Sequence, residues 1–472
     1  MDTIVKKITT PLVSIPNFHT FGHLFNTCRI QLKYLIMNDI LGIRIEDKYN
    51  YERRVPLIPL HVHQLIQDYH LEIQVQSSPK RIFKDHEFAH AGAHIVESME
   101  ECPVVMGIKE IPMEAFEYGK TYMIFAHVIK GQPYNMPMLK RMMELKCSLI
   151  DYERITDEMG KRLIFFGRYA GLAGMINSLW SFGERLRESG LETPFTRIRQ
   201  ARHYDSLDEA RWIISEVGQE ILEQGLPDTL HPMVIGFTGY GNVSAGAQEI
   251  ASLLPIKEIT PEQLLELKNR TGLPKNVIYK VVFKEWDLVE PIDPMLSFEL
   301  QDYYLNGEKK YKNQFEKYIP QLSILVNGMY WDERYPRIVT KDYLEKLYSE
   351  SNPKLTVIGD ITCDVNGSIE CTHKGTEVGD PVFVYDPFTR KPAMGFRGKG
   401  ILVMAVDILP TELPRESSMM FSEALWKYMN AITRADYSLD FYDLNLPTPI
   451  KRGMILHNGD LTPDYAYISK YL

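Results

Sequence analysis

From Leu41 almost to its end the chain alternates short apolar runs with stretches whose apolar residues recur every three or four positions. The short runs read as buried strands and the longer periodic stretches as amphipathic helices. ILGIRI (40–45), EIQVQ (72–76), VVMGI (104–108), MIFAH (123–127) and SLID (148–151) are strands, with helices over Pro59–Tyr69 and Met136–Leu145 between them. This alternation predicts a doubly wound α/β unit complete by about residue 155. A second unit centres on MVIGFTG (233–239), followed by a helix from Ala245. LSILVNGMYW (322–331), LTVIGDIT (355–362) and GILVMAVDIL (400–409) supply its further strands. The charged stretch at about 259–318, KNVIYKVVF included, reads as an insertion decorating that sheet. A helix over Ser417–Ile432 leads the tail back toward the first unit. After RLIFFG (162–167), small residues repeat at Gly167, Ala170, Gly171, Ala173 and Gly174, a pattern that predicts close helix packing rather than a phosphate loop.

The first 36 residues break this pattern: one acid, Asp2, stands against Lys6, Lys7, Arg29 and Lys33, with no sustained period. Pro11, Pro16, Asn17 and His19 interrupt any secretory apolar core, so 1–36 reads as a poorly ordered leader before a start at Met37. A cytoplasmic location follows, with the mitochondrial matrix as the alternative if the leader is a presequence. The net charge of −9 over 472 residues argues against a broad nucleic-acid surface. No apolar run approaches the roughly 18 residues of a membrane span. Five scattered cysteines without a C-x-x-C pair point to a reducing compartment. Asp360 and Asp364 lack EF-hand spacing, and Cys363, Cys371 and His373 lack zinc-type spacing, so no metal is expected.

Gly239-Tyr240-Gly241-Asn242-Val243-Ser244 follows an apolar strand directly and opens a helix. The first glycine permits a tight turn, the second lets a pyrophosphate approach the backbone, and the third position, Ser244 here, must be small. The helix N-terminus then offers N–H donors and a positive dipole end. Dinucleotide binding is the reading. An acid at the tip of the next strand favours a free ribose hydroxyl. In 255–262 neither Glu258 nor Glu262 can be placed at that tip, and Lys257 is nearby, which tilts the expectation from NAD(H) toward NADP(H).

In the first unit Lys109, His127 with Lys130, and Glu153 follow predicted strands, as do Lys48, Glu52, Arg53 and Arg54 upstream. Strand carboxyl ends line the ligand crevice of a doubly wound sheet. A cationic cluster there, in an acidic chain, suits an anionic small substrate.

GIRIEDKYNYERRVPLIP, MGIKEIP, FAHVIKGQ, LIDYE, FFGRYAGLAGM and FTGYGNVSAGAQEI occur in this order, followed by NGMYW, DITCDVNGSIE, VDILPTELPRE and NGDLTPDYAYI. They resemble lysine–2-oxoglutarate reductase, the reductase half of aminoadipate-semialdehyde synthase. They are also similar to the lysine-forming saccharopine dehydrogenases, within the alanine dehydrogenase/transhydrogenase superfamily. The resemblance implies two Rossmann-like domains with the active site in the cleft between them. The substrate domain would comprise 41–160 plus 409–472, and the dinucleotide-binding domain 161–408. It implies a monofunctional reductase that condenses L-lysine with 2-oxoglutarate and reduces the imine with NAD(P)H to saccharopine, or the reverse. Lys109 and His127 fall on the family's acid–base positions, with Lys130, Glu52 and Glu153 on neighbours that tune them. Arg54 and Arg162 fall on arginines that bind substrate carboxylates, and Asp407 on a residue near the nicotinamide. Lys48 is placed with the substrate-binding residues, although Tyr49-Asn50-Tyr51 makes its loop one residue longer than in the stand-alone enzymes. Competing readings are alanine-dehydrogenase-like amination of a small keto acid and a non-catalytic, transhydrogenase-like nucleotide-binding subunit. The oligomeric state is left open.

The chemistry fits the residue types. A lysine ε-amine, pKa ~10.4, must lose a proton before attacking a ketone, and the carbinolamine oxygen must gain one to leave as water. A histidine exchanges protons at neutral pH. Lys109 joins it only if desolvation or a neighbouring cation depresses its pKa, and Lys130 is the cation expected to do so.

Overall fold

The computed structural model describes residues 39–350 and 353–472; the expected leader, 1–36, lies outside them. Six parallel strands open the first sheet: β1 (Ile40–Ile43), β2 (Glu72–Gln76), β3 (His94–Val96), β4 (Val104–Met106), β5 (Thr121–Ile124) and β6 (Ser148–Asp151). The chain runs outward from β1 to β3 on one side, then from β4 to β6 on the other. The winding therefore reverses between β1 and β4, which puts the loops carrying Lys48 and Lys109 at the switch point where such sheets bind ligands.

The second sheet starts with β7 (Met233–Thr238), whose residues are all buried, and β8 (Ile256–Glu258) and β9 (Ile278–Phe283) follow. A small ribbon, β10 (Val289–Pro291) with β11 (Tyr311–Asn313), stands outside the sheet. β12 (Ile324–Asn327), β13 (Val357–Asp360), β14 (Val382–Asp386), β15 (Lys391–Met394) and β16 (Ile401–Met404) complete it in the order β15-β14-β16-β13-β12-β7-β9-β8. The switch point here lies between β7 and β12, at Gly239 and Gly328. Finally β17 (Met454–His457) and β18 (Asp460–Leu461) return to the first sheet, β17 pairing antiparallel with β6.

Two expectations change. Ile278–Phe283 is not decoration: it pairs along its whole length with Met233–Thr238 as a central strand. The flanking charges hid an apolar run long enough to span the sheet. As a consequence Ile256–Glu258 is the outermost strand, so residues 255–262 do not border the glycine turn.

The glycine-rich helix, Gly167–Glu188, packs as its small residues predict. A Cβ on Gly171 would overlap the carbonyl oxygen of Val243, and one on Gly246 the carbonyl oxygen of Arg168. Two helix backbones meet here, and one carries the Gly239–Ser244 turn. The helix Pro414–Thr433 braces the first unit. Its Ser418 and Ser422 hydroxyls accept the amides of Val55 and Ile58, each at 3.0 Å. The segment that bears Glu52 and Arg54 is thus fixed to the C-terminal part of the chain.

Candidate active site

The loops at the ends of β1, β4 and β5 converge on one carboxylate. Glu110 lies 2.8 Å from Lys48 Nζ and 2.8 Å from His127 Nδ1. Asn135 Nδ2 reaches the same carboxylate at 3.2 Å and also donates to the carbonyls of Ala126 (2.9 Å) and His127 (3.2 Å). His127 has φ +49°, a left-handed backbone unusual for a residue with a side chain, and Asn135 holds it there. With Nδ1 on Glu110, the imidazole offers Nε2 outward. Burial opposes ionisation of Glu110, but His127 and Lys48 outweigh it and hold its carboxyl far below the ordinary range. Sequence reasoning missed Glu110, although it directly follows Lys109 in MGIKEIP.

Lys109 is half-buried, and its ammonium sits 5.5 Å from the centre of the Tyr49 ring. Burial lowers its pKa and the Arg54 charge lowers it further, against the pull of Glu52, Glu110 and Asp407. The depressing cation is therefore Arg54, not Lys130 as expected. Lys130 is exposed, and its charge acts on Asp364 of the second unit, whose carboxyl burial and Asp360 push up to about 6. Arg54 is buried, with Nε 2.8 Å and Nη2 2.6 Å from the two oxygens of Glu52, and its guanidinium lies 4.3 Å from the Phe166 ring centre. Burial favours a protonated Glu52, but Arg54 and Lys109 overcome it and keep this carboxyl ionised below its usual range. Two of the three Arg54 nitrogens are thus occupied by Glu52, which the linear sequence does not reveal.

A third acid, Glu46, is buried beneath the pair and accepts the amides of Ile108 (2.5 Å) and Lys109 (3.1 Å). Burial, with Glu52 nearby, pushes its carboxyl up to about 7. Glu153 does not join the Lys109 cluster; it pairs with Arg162.

Arg162 lines a cavity of about 820 Å³ that runs along the second sheet's switch point. Gly239, Gly241, Asn242 and Val243 line it from the glycine turn, and Gly328, Met329, Thr362 and Asp364 from the ends of β12 and β13. Gly239 has φ +82°, and a Cβ on it would come 3.1 Å from Met329 Cα. Around Gly241 a Cβ would meet nothing within 4 Å, so the backbone is bare toward the cavity, as close approach of a pyrophosphate requires. Ser244 is buried below the turn, and a Cβ on Gly328 would come 3.3 Å from its amide nitrogen. The residues present fit a nicotinamide dinucleotide. Asp407 stands outside this lining, on the loop after β16, and its charge acts on Lys109 and Tyr49 of the first unit. The two switch points thus face each other. Among the described residues no His, Cys, Asp and Glu cluster suits a metal, and no helix is long and apolar enough to cross a membrane.

Two doubly wound units, one with a bare glycine turn lining a cavity at its switch point and the other with clustered charged side chains at its own, define the class. Models of the N-terminal and C-terminal domains of alanine dehydrogenase/PNT match residues 42–173 and 292–464, together more than half of the chain. The chain belongs to the alanine dehydrogenase/PNT family. It is 37% identical over 447 residues to alpha-aminoadipic semialdehyde synthase of Arabidopsis thaliana, covering 92% of this chain and 41% of that one. Against the mitochondrial alpha-aminoadipic semialdehyde synthase of Mus musculus the identity is 32%, covering 91% of this chain and 48% of that one. The chain therefore spans less than half the length of these relatives. Saccharopine dehydrogenase [NAD(+), L-lysine-forming] of Yarrowia lipolytica is 27% identical, with 82% of this chain and 90% of that one covered. Among solved structures an L-alanine dehydrogenase shares the fold, with a TM-score of 0.58 at 15% identity, covering 91% of this chain and 99% of that one.

Proposed function

We propose that this chain is a lysine–2-oxoglutarate reductase, joining the ε-amine of L-lysine to the keto carbon of 2-oxoglutarate and reducing the product to saccharopine, or running the reverse. The observation that carries this reading is the half-buried Lys109, depressed in pKa, beside a Glu110-bound His127 on the sheet edge facing the dinucleotide cradle. The names of its relatives from Arabidopsis and Yarrowia support it.

Neutral Lys109 takes the proton from the substrate ammonium, and the freed amine forms the C–N bond. His127, oriented by Glu110, gives a proton from Nε2 to the carbinolamine oxygen as the C–O bond breaks and water leaves. The dinucleotide, when bound, supplies the hydride for the imine carbon. Arg162 exchanges Glu153 for a substrate carboxylate, and Arg54, whose Nη1 Glu52 does not engage, serves a second. Lys48, anchored by Glu110, adds positive charge near these acids. Asp407, facing Lys109 from the second unit, closes the site on the nicotinamide side.

The test is steady-state oxidation of reduced dinucleotide by the purified chain. Turnover with lysine plus 2-oxoglutarate and none with ammonium plus a small keto acid is expected. Turnover with ammonium alone would identify an alanine-dehydrogenase-like enzyme, and dinucleotide binding without turnover on either would identify a non-catalytic subunit.

A further inference from the structure

The proposed reaction brings a substrate ammonium to Lys109, yet Lys109 already stands among cations. Arg54 bears on it as a positive charge, and Lys48 shares with it the ring of Tyr49. The nearest acids are engaged: Glu52 holds Arg54, and Glu110 holds Lys48 and His127. Two groups beside Lys109 remain to receive a further cation, the Tyr49 ring on the loop after β1 and the exposed Asp407 carboxylate on the loop after β16. The ring centre lies 5.5 Å from Lys109 Nζ and 5.2 Å from Lys48 Nζ, so this ring already attracts ammonium groups of the chain itself. Asp407 has no ion-pair partner among the described residues; the Cys363 thiol approaches it at 3.8 Å, and its charge is felt at both Tyr49 and Lys109. The ring is fixed before any substrate arrives. It packs against the apolar core of the second unit, and the Tyr49 carbonyl accepts the Lys80 ammonium at 3.0 Å and the Glu52 amide at 3.2 Å. Burial, with the charges of Glu110 and Asp407, outweighs Lys48 and keeps the phenol protonated, so the ring stays a neutral π-face.

We propose that Tyr49 is a specificity-determining residue that reads the side-chain ammonium of the amino-acid substrate, holding it on the ring face beside Lys109 with Asp407 as the opposing charge. The inference rests on the reading of this chain as a lysine–2-oxoglutarate reductase. When Lys109 is neutral its own claim on the ring lapses, and the substrate ammonium takes that place. The proton then passes from the substrate nitrogen to the Lys109 nitrogen. One N–H bond breaks and one forms, so a single positive charge rests on the same ring before and after the transfer. The freed amine keeps its lone pair for the keto carbon. An amino acid whose side chain ends in a methyl group gains nothing from this corner, so ring and carboxylate together select a diamino acid over an alkyl one of the same length.

The test sets L-lysine as substrate against L-norleucine, which has the same carbon skeleton without the ε-ammonium, as a competitive inhibitor. In the wild-type chain the norleucine Ki should exceed the lysine KM by at least about tenfold. Tyr49→Leu should raise the lysine KM about three- to thirtyfold, the worth of a cation–π contact, while the norleucine Ki and the 2-oxoglutarate KM move by less than about twofold. Tyr49→Phe, which restores the ring face without the hydroxyl, should recover most of the lysine affinity that Tyr49→Leu loses. Norleucine binding as tightly as lysine to the wild type would overturn the assignment of Tyr49 alone. So would an unchanged lysine KM or parallel losses for lysine and norleucine in Tyr49→Leu, or a Tyr49→Phe variant as impaired as Tyr49→Leu. Turnover with ammonium and none with lysine would overturn the reductase reading and this inference with it.

Discussion

The Nδ1 atom of His127 and the carboxylate of Glu110 share a 2.8 Å hydrogen bond, and the same carboxylate holds Lys48 Nζ at 2.8 Å. One acid thus fixes the orientation of the proposed proton donor and ties it to Lys48. His127→Ala should lower kcat by about 10²–10⁴-fold. Glu110→Gln, which removes the charge and keeps the shape, should cost about ten- to a hundredfold in kcat, the worth of a charged hydrogen bond. Steady-state kinetics with both substrates checks this; an unchanged kcat in Glu110→Gln would show that the carboxylate does not serve His127.

Arg54 lowers the proton affinity of Lys109, while Glu52, Glu110 and Asp407 raise it. In Arg54→Met only burial still opposes those three carboxylates, so the pKa of Lys109 rises. The neutral base is then formed only at higher pH, and the acidic limb of the kcat/KM profile should move in the alkaline direction. The KM for the dicarboxylic substrate should also rise about tenfold or more, because a carboxylate anchor is lost. A weakened KM with an unmoved limb would separate substrate binding from any action on Lys109.

At Gly171 the helix Gly167–Glu188 touches the backbone of Val243 in the glycine turn. Gly171→Ala drives a methyl group into the Val243 carbonyl, and overpacking of this kind costs roughly 1–3 kcal/mol. The melting temperature should fall, and dinucleotide affinity should fall with it, because the displaced residue lines the cradle. Ala173→Gly, on the same helix, should lower the melting temperature while leaving dinucleotide affinity intact; parallel losses in both variants would mean that Gly171 has no special link to the turn.

Much of the architecture was legible in advance. The alternation of apolar strands with amphipathic helices, the strand–turn–helix setting of Gly239–Ser244 and the position of Lys109 and His127 after β4 and β5 all follow from local apolar patterning. Glu110 was legible in principle as the residue after Lys109. The pairing of Arg54 with Glu52 was not, since two residues apart in a loop can face anywhere until the helix Pro414–Thr433 pins that loop. Lys130 looked like the partner of Lys109 because it lies three residues beyond His127, yet its charge is felt across the cleft at Asp364.

By itself the sequence determined many of the buried strands, where the chain turns tightly at Gly239, and which chemical groups stand at the ends of those strands. These are local properties, set by side-chain size, polarity and spacing. Tertiary structure alone decided that β9 displaces β8 from the side of β7, that Arg54 rather than Lys130 bears on Lys109, and that Glu285 rather than Glu258 stands at the glycine turn. The physical reason is that hydrogen-bonded strand neighbours, desolvation and charge–charge distance depend on residues far apart in the chain, and these become defined only when the crossovers have folded onto the sheets.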